Sequence, residues 1–176
     1  MKISSYILLL AVLLNFVSCK KEIVIPIDFS TYTATDNSGK IIGNTDTTDW
    51  QNDPIWQVKE TTLLQFKDNL KFGDSIGGLQ TGFIKVTPLF PNPGASVFIL
   101  GLDPEKACKL KVACVNKEYE ILYYRTQLLS GGETWLAFDF RVKSAFAKDN
   151  FYRMYYSFSN SNDSVYYKGH GDFKIL

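Results

Sequence analysis

The chain has 176 residues, of which 45% are hydrophobic and 21% charged, and its formal net charge is +1. That composition suits one globular domain with a leader and excludes a disordered chain. Near-neutrality leaves no electrostatic footprint for nucleic acid, no polybasic stretch marks a binding site for anionic lipid, and 15% aromatic residues tilt the fold toward β structure.

Lys2 opens the chain with a positive charge, and residues 7–14 form an apolar run too short to span a bilayer, which takes ~20 apolar residues. Phe16-Val17-Ser18-Cys19 follows and resembles the lipobox of bacterial lipoproteins, with Phe16 in place of the usual Leu. The resemblance implies that residues 1–18 are a signal peptide cleaved after Ser18. It also implies that the Cys19 sulfur takes a diacylglyceryl group and the new amino group is acylated. Two or three acyl chains anchor a protein stably, at ~0.8 kcal/mol per buried CH₂. No Asp follows Cys19, so the resemblance places the anchor in the outer membrane, on either face.

Residues 19–48 read as a lipid anchor and an extended tether. Apart from Ile23–Ile27 and Ile41-Ile42 the segment is rich in Thr, Ser, Asp, Asn and Gly, and Asp36-Asn37-Ser38-Gly39 is turn chemistry. An edge strand at Ile23–Ile27 is the alternative. Residues 49–176 read as the domain. Trp50 and Trp56 come first, either as hydrophobic plugs closing a core or as a platform for a glycan or peptide, the plug being favoured. Leu63, Leu64 and Phe66 suggest one face of a short helix near residues 58–68.

From Gly82 the chain alternates strand and turn. Residues 83–87 end at Pro88, and Phe90-Pro91-Asn92-Pro93-Gly94 is a rigid turn. Residues 96–100 form a buried run. In Cys108–Cys114 the Cys, Leu and Val positions share an inner face and the lysines an outer one. Strands follow at 119–124, 134–141, 151–158, 165–168 and 172–175, with Gly131-Gly132 and Asp149-Asn150 as turns. The expectation is an all-β chain: an Ig-like antiparallel β-sandwich of about seven strands whose edges are guarded by prolines and outward lysines.

Phe90-Pro91-Asn92-Pro93 with the apolar strand after it resembles the start of the C-terminal sorting domains of the type IX secretion system, and Phe151–Tyr156 resembles their later aromatic strand. Those domains are small Ig-like sandwiches, so the resemblance implies fold only. With its Trp-rich entry and Gly169-His170-Gly171-Asp172 ending, the whole chain resembles small uncharacterised Bacteroidota-type lipoproteins, which implies no activity.

Chemistry-bearing motifs are few. His170 is the sole histidine, so any Ser-His-Asp or Cys-His site must use it; a surface or turn histidine is the favoured reading. Cys108 and Cys114 lie ~20 Å apart along one strand, beyond the ~7 Å disulfide limit, and read as two buried thiols. No pattern for a zinc site, no phosphate loop and no cofactor motif is present. Asp36-Asn37-Ser38-Gly39 and Asn160–Asp163 offer oxygens to calcium, but turn chemistry explains them equally well. The functional expectation is a non-catalytic envelope module that binds a protein or glycan partner, with Trp50, Trp56, Tyr166, Tyr167 and His170 as candidate contacts. The alternatives are an accessory component of an envelope or secretion complex and a hydrolase using His170.

Overall fold

The computed structural model describes residues 25–43, 45–73, 81–141 and 145–176. The leader and Cys19 lie outside the described residues. One helical turn, α1 (Val58–Thr62), precedes seven strands: β1 (Ile84–Phe90), β2 (Val97–Pro104), β3 (Cys108–Val115), β4 (Ile121–Leu129), β5 (Thr134–Asp139), β6 (Phe151–Ser159) and β7 (Val165–Lys174). All strand pairing is antiparallel, in a three-stranded sheet ordered β1-β2-β5 and a four-stranded sheet ordered β4-β3-β6-β7. The chain is therefore the all-β sandwich that its turn spacing suggests, with its fourth strand beside its third.

Alternation decides the core. On β3, Cys108, Leu110, Val112 and Cys114 face the opposing sheet and meet Phe98 and Leu100 of β2, Phe138 of β5 and Phe158 and Phe173 of the same sheet. Both cysteines are buried free thiols. Gly131 and Gly132, with φ of 94° and 80°, turn β4 into β5 as glycine permits.

Several details differ from the sequence reading, among them β4, which runs to Leu129 where a strand at 119–124 is expected. β1 continues through Pro88 to Phe90, because the ladder irregularity between Thr87 and Phe90 absorbs the missing donor. The expected helix is only Val58–Thr62; Leu63 and Leu64 are buried just beyond it, in turns closed by Leu63 N–H to the Glu60 carbonyl and Gln65 N–H to the Thr62 carbonyl. The two short strands expected at the C-terminus are one strand, β7, running unbroken through Gly169-His170-Gly171. The β3 lysines guard no edge, because β3 is central in its sheet.

The largest difference concerns the N-terminal segment. Residues 27–43 and 45–48, expected as a tether, pack against the sandwich and with residues 49–68 form a strap: its two ends, at Ile27–Phe29 and Trp56–Phe66, cover the outer face of the four-stranded sheet, while Thr35 bonds to Leu89 and Asn92 at the end of β1. Ile27, Leu63 and Leu64 form a second apolar cluster with Ala113, Val115 and Tyr155, flanked by Phe29, Trp56, Phe66 and Tyr119. Lys109 on that face is only 4% exposed, held by Asp163 at 2.6 Å and Asp68 at 3.3 Å, while Lys111 meets Asp68 at 3.0 Å and the Phe66 carbonyl at 2.9 Å. Thr33 and Thr35 are buried as well. Thr35 exchanges backbone hydrogen bonds with Asn92, whose side-chain amide donates to the carbonyls of Thr33 and Asp172 and whose Oδ1 accepts from Lys174 N–H. The strap was unreadable as domain because hydrogen bonds hold most of it, and its apolar content is low.

Residues 49–53 then run along the free edge of β7. Trp50 N–H donates to the His170 carbonyl at 2.6 Å and Asp53 N–H to the Lys168 carbonyl at 2.8 Å, so the edge is covered. The Trp50 indole passes into the core and stacks on Tyr156 with ring centroids 6.3 Å apart. Gly171 is glycine because a methyl there would run into the indole, and Gly169 because one would meet the Gln51 carbonyl and the Tyr156 phenol. Trp50 itself holds a left-handed φ of 61°, strained for a bulky side chain and maintained by the surrounding packing.

A double-mutant cycle tests this lock. Gly171→Ala is expected to cost ~1–3 kcal/mol by overpacking and Trp50→Ala ~3–5 kcal/mol by leaving a cavity. Without the indole the alanine methyl has room, so the double variant should cost ~1–3 kcal/mol less than the sum. Equilibrium denaturation of the four proteins measures this; strict additivity would show that the two positions do not compete for the same space.

Candidate functional site

The five residues singled out for binding separate into two groups. Trp50 and His170 are buried, at 5% and 7% exposure, and offer no surface to a ligand. Trp50 is the plug just described. His170 belongs to the middle of β7 and to no turn, with its ring against Tyr155 at 5.8 Å and its Nδ1 3.5 Å from an Asp53 carboxylate oxygen. Burial first, then the nearby Arg153 charge, lowers its pKa, so the imidazole is neutral at pH 7. It lines none of the hollows described below.

Trp56 lines one hollow and Tyr166 and Tyr167 the adjoining one, at the start of β7 on one shoulder of the sandwich. A hollow of about 320 Å³, apolar over most of its lining, is bounded by Trp56, Thr61, Leu64, Gln65, Ser157, Val165 and Lys168. A second of about 180 Å³ shares Val165 and Lys168 and adds Asn52, Pro54, Tyr166 and Tyr167. The Trp56 ring meets Tyr155 edge-on at 5.2 Å, and the Lys168 ammonium sits 4.8 Å over it. Below, Glu60 accepts from the Tyr155 hydroxyl at 2.7 Å and from Gln57 N–H at 2.7 Å, which fixes α1 and the hollow's wall. Val165 is 53% exposed at the rim. Gln65, Ser157, Val165 and Lys168 were not legible as site residues, since only the strap's return over β6 brings them to Trp56.

The half-buried tyrosines are also core residues. Tyr167 packs on Tyr156 and Phe158, and the Tyr166 hydroxyl is buried on the side of Cys108. Burial pushes the Cys108 thiol up to about 11, and Cys114 is pushed up well beyond the ordinary thiol range for the same reason. Neither thiol has the thiolate character a nucleophile needs. The two turn motifs use their oxygens internally: Asp36 accepts from Ser38 N–H, Ser38 Oγ and Lys40 N–H, and Asn160 Oδ1 from Asn162 and Ser164 N–H.

A larger cleft of about 410 Å³ opens at one end of the sandwich, among Phe29, Asn116, Lys117, Leu122 and Tyr152. Phe29 and Phe151 stack there at 5.9 Å, and the Tyr152 hydroxyl is already engaged with the backbone of Ala147.

Between strap and sheet lies a buried carboxylate pair. Arg153 holds Asp172 with both arms, Nε–Oδ1 at 2.6 Å and Nη2–Oδ2 at 2.7 Å, and Asp172 is fully buried. Asp49 accepts from Asp172 N–H at 3.0 Å and Thr33 N–H at 2.9 Å. Burial, with the charge of Asp172 second, pushes Asp49 up to about 7. Burial also pushes Asp172 up to about 6 although Arg153 pulls the other way.

The sign follows from linkage. Both carboxyls bind protons more tightly folded than at their unfolded value of 3.8, so their contribution is complete below that value and is lost as pH rises through about 6 and 7. Stability is expected to fall between pH 5 and pH 8 by on the order of 2 kcal/mol. Asp49→Asn, which keeps one acceptor oxygen, lowers stability at pH 5 yet flattens that slope. Denaturation midpoints across the range check this, and an equal slope in parent and variant would place the titrating group elsewhere.

No protein-family model matches the chain, and no curated protein gives a significant match to it.

Proposed function

We propose that this is an envelope lipoprotein, anchored in the outer membrane through acylated Cys19, whose sandwich is a non-catalytic module that holds a protein partner at the Trp56–Lys168 shoulder. One observation carries the partner site: strap and β7 converge to make a mostly apolar, aromatic-walled hollow with an exposed aliphatic rim at Val165. A protein side chain suits it better than a sugar. The Trp56 ring is half-buried, stands at right angles to Tyr155 and has Lys168 over one face, which leaves at most one face for stacking. The lipobox-like Cys19 supports the anchor. A hydrolase centred on His170 finds little support, because that ring is buried under the strap and lines none of these hollows.

Two measurements test the proposal. Metabolic labelling with an alkyne fatty acid should tag the full chain and fail on Cys19→Ser. A photo-crosslinking residue at Val165 should give a discrete protein adduct in intact cells, while one at Val97 on the other sheet gives none. Trp56→Ala should weaken adduct formation ~10-fold or more, as loss of an aromatic anchor does. Crosslinks to glycan in place of protein would replace the partner class, and adducts confined to a large assembly would favour an accessory role.

A further inference from the structure

The anchored reading, on which this inference rests, combines with the docked strap to restrict how the domain stands on its membrane. Ile27 is 7% exposed, its N–H bonded to the Lys117 carbonyl at 3.0 Å and its side chain in the cluster with Leu63, Leu64 and Tyr155. Free chain between anchor and domain is thus limited to the eight residue steps from Cys19 to Ile27. Fully extended they reach at most ~29 Å, at ~3.6 Å each. A domain of this size has a diameter of roughly 35–40 Å, so the point where the strap begins cannot face directly away from the bilayer.

The side nearest that exit is marked by its apolar exposure. The three most exposed aliphatic residues of the described chain are Ile55 at 86%, Val58 at 74% and Ile25 at 71%. Ile25 leads into the strap, and Ile55 and Val58 lie where it enters α1. Lys59, next to Val58, donates to the Glu118 carbonyl at 3.2 Å and sits 4.9 Å over the Tyr119 ring, one residue along from the carbonyl that holds Ile27. Ile25 is two residues before Ile27, and Ile55 starts the turn into α1. Lys59 and Lys117 flank the aliphatics, and the Lys117 charge is offset by Glu118 at 3.6 Å. Protruding aliphatics bordered by lysines suit the headgroup region, where side chains enter the acyl boundary and ammonium groups stay among phosphates.

We propose that the Ile25, Ile55 and Val58 side of the strap rests in the headgroup region of the bilayer that carries the anchor. This fixes the domain's orientation and leaves the three-stranded sheet facing away from the membrane. Partner binding on the Val165 side of the shoulder then takes place beside the membrane surface.

The test uses the full acylated chain in vesicles of phosphatidylethanolamine and phosphatidylglycerol, with a nitroxide label at Ile55→Cys, Val58→Cys or, as control, Val97→Cys. Cys108 and Cys114 are buried and do not compete for label. Collision with a water-soluble nickel chelate is expected to be ~3-fold or more lower at 55 and 58 than at 97, with oxygen collision raised. Equal nickel collision at all three sites, with acyl mass present on Cys19, would overturn the membrane contact and leave the anchor standing. Absence of acyl mass would overturn both. Labels at 55 and 58 that broaden by coupling to each other's copies would replace the bilayer by a second chain as the occupant.

Discussion

The insertion of Trp50 beside Gly171 is the contact on which the rest of the architecture depends. It is where the strap stops lying on the sandwich and enters it. The indole fills core volume against Tyr156, its backbone N–H covers the His170 carbonyl, and residues 51–53 continue along β7. A left-handed tryptophan is costly, by ~1–3 kcal/mol, and an indole N–H buried without a protein acceptor adds to that cost. Burial of so large a side chain exceeds both costs, which is why the conformation persists. The glycines on either side of His170 are read in the same way. They do not loosen β7; they make room for a neighbour that arrives from the other end of the chain.

Once Trp50 is in place, the strap's remaining contacts are mostly polar and they are buried. Asp49, Thr33, Asn92, Asp172 and Arg153 form one connected set, and Lys109, Lys111, Asp68 and Asp163 a second. Buried polar groups stabilise little when paired and cost much when a partner is removed. A partly detached strap would leave Lys111 without Asp68 and the Phe66 carbonyl, and the buried Asp172 N–H without the Asp49 carboxylate. The strap is therefore expected to unfold with the sandwich and not ahead of it, and the surface it builds around Trp56 is held rigidly. The raised pKa of Asp49 belongs to the same economy: desolvation is tolerated because two backbone N–H groups point at the carboxylate.

Much of the sandwich was legible because its signals are local. Alternation over 108–114, the glycine pair at 131–132 and the aromatic run from Phe151 each specify a strand or turn from a few neighbouring residues. What was not legible depends on pairing across long separations. Gly169 and Gly171 look like flexible spacers until Gln51 and Trp50 are placed against them. The lysines of β3 look solvated until Asp68 and Asp163 are placed over them. Thr, Ser, Asp and Asn from 30 to 48 look like a linker because the same residues that solvate a tether also satisfy a buried backbone. Of the five residues singled out for binding, Trp56 lines one hollow of the shoulder and Tyr166 and Tyr167 the adjoining one, while Trp50 and His170 are buried at the lock.

That division also bears on what the shoulder is for. A tether of twenty-nine residues would let a domain explore many orientations, and an adhesive patch on it would meet partners from any direction. A strap that consumes most of that length does the opposite: it spends sequence to shorten the reach. A short reach lowers the volume the domain can search but raises its effective concentration toward anything held on the same membrane. On the anchored reading, the hollow beside Lys168 is therefore better suited to a partner that shares the envelope surface than to capture of a freely diffusing one. The rigid wall from Glu60 and Tyr155 fits that economy, because a preformed site loses little entropy on binding.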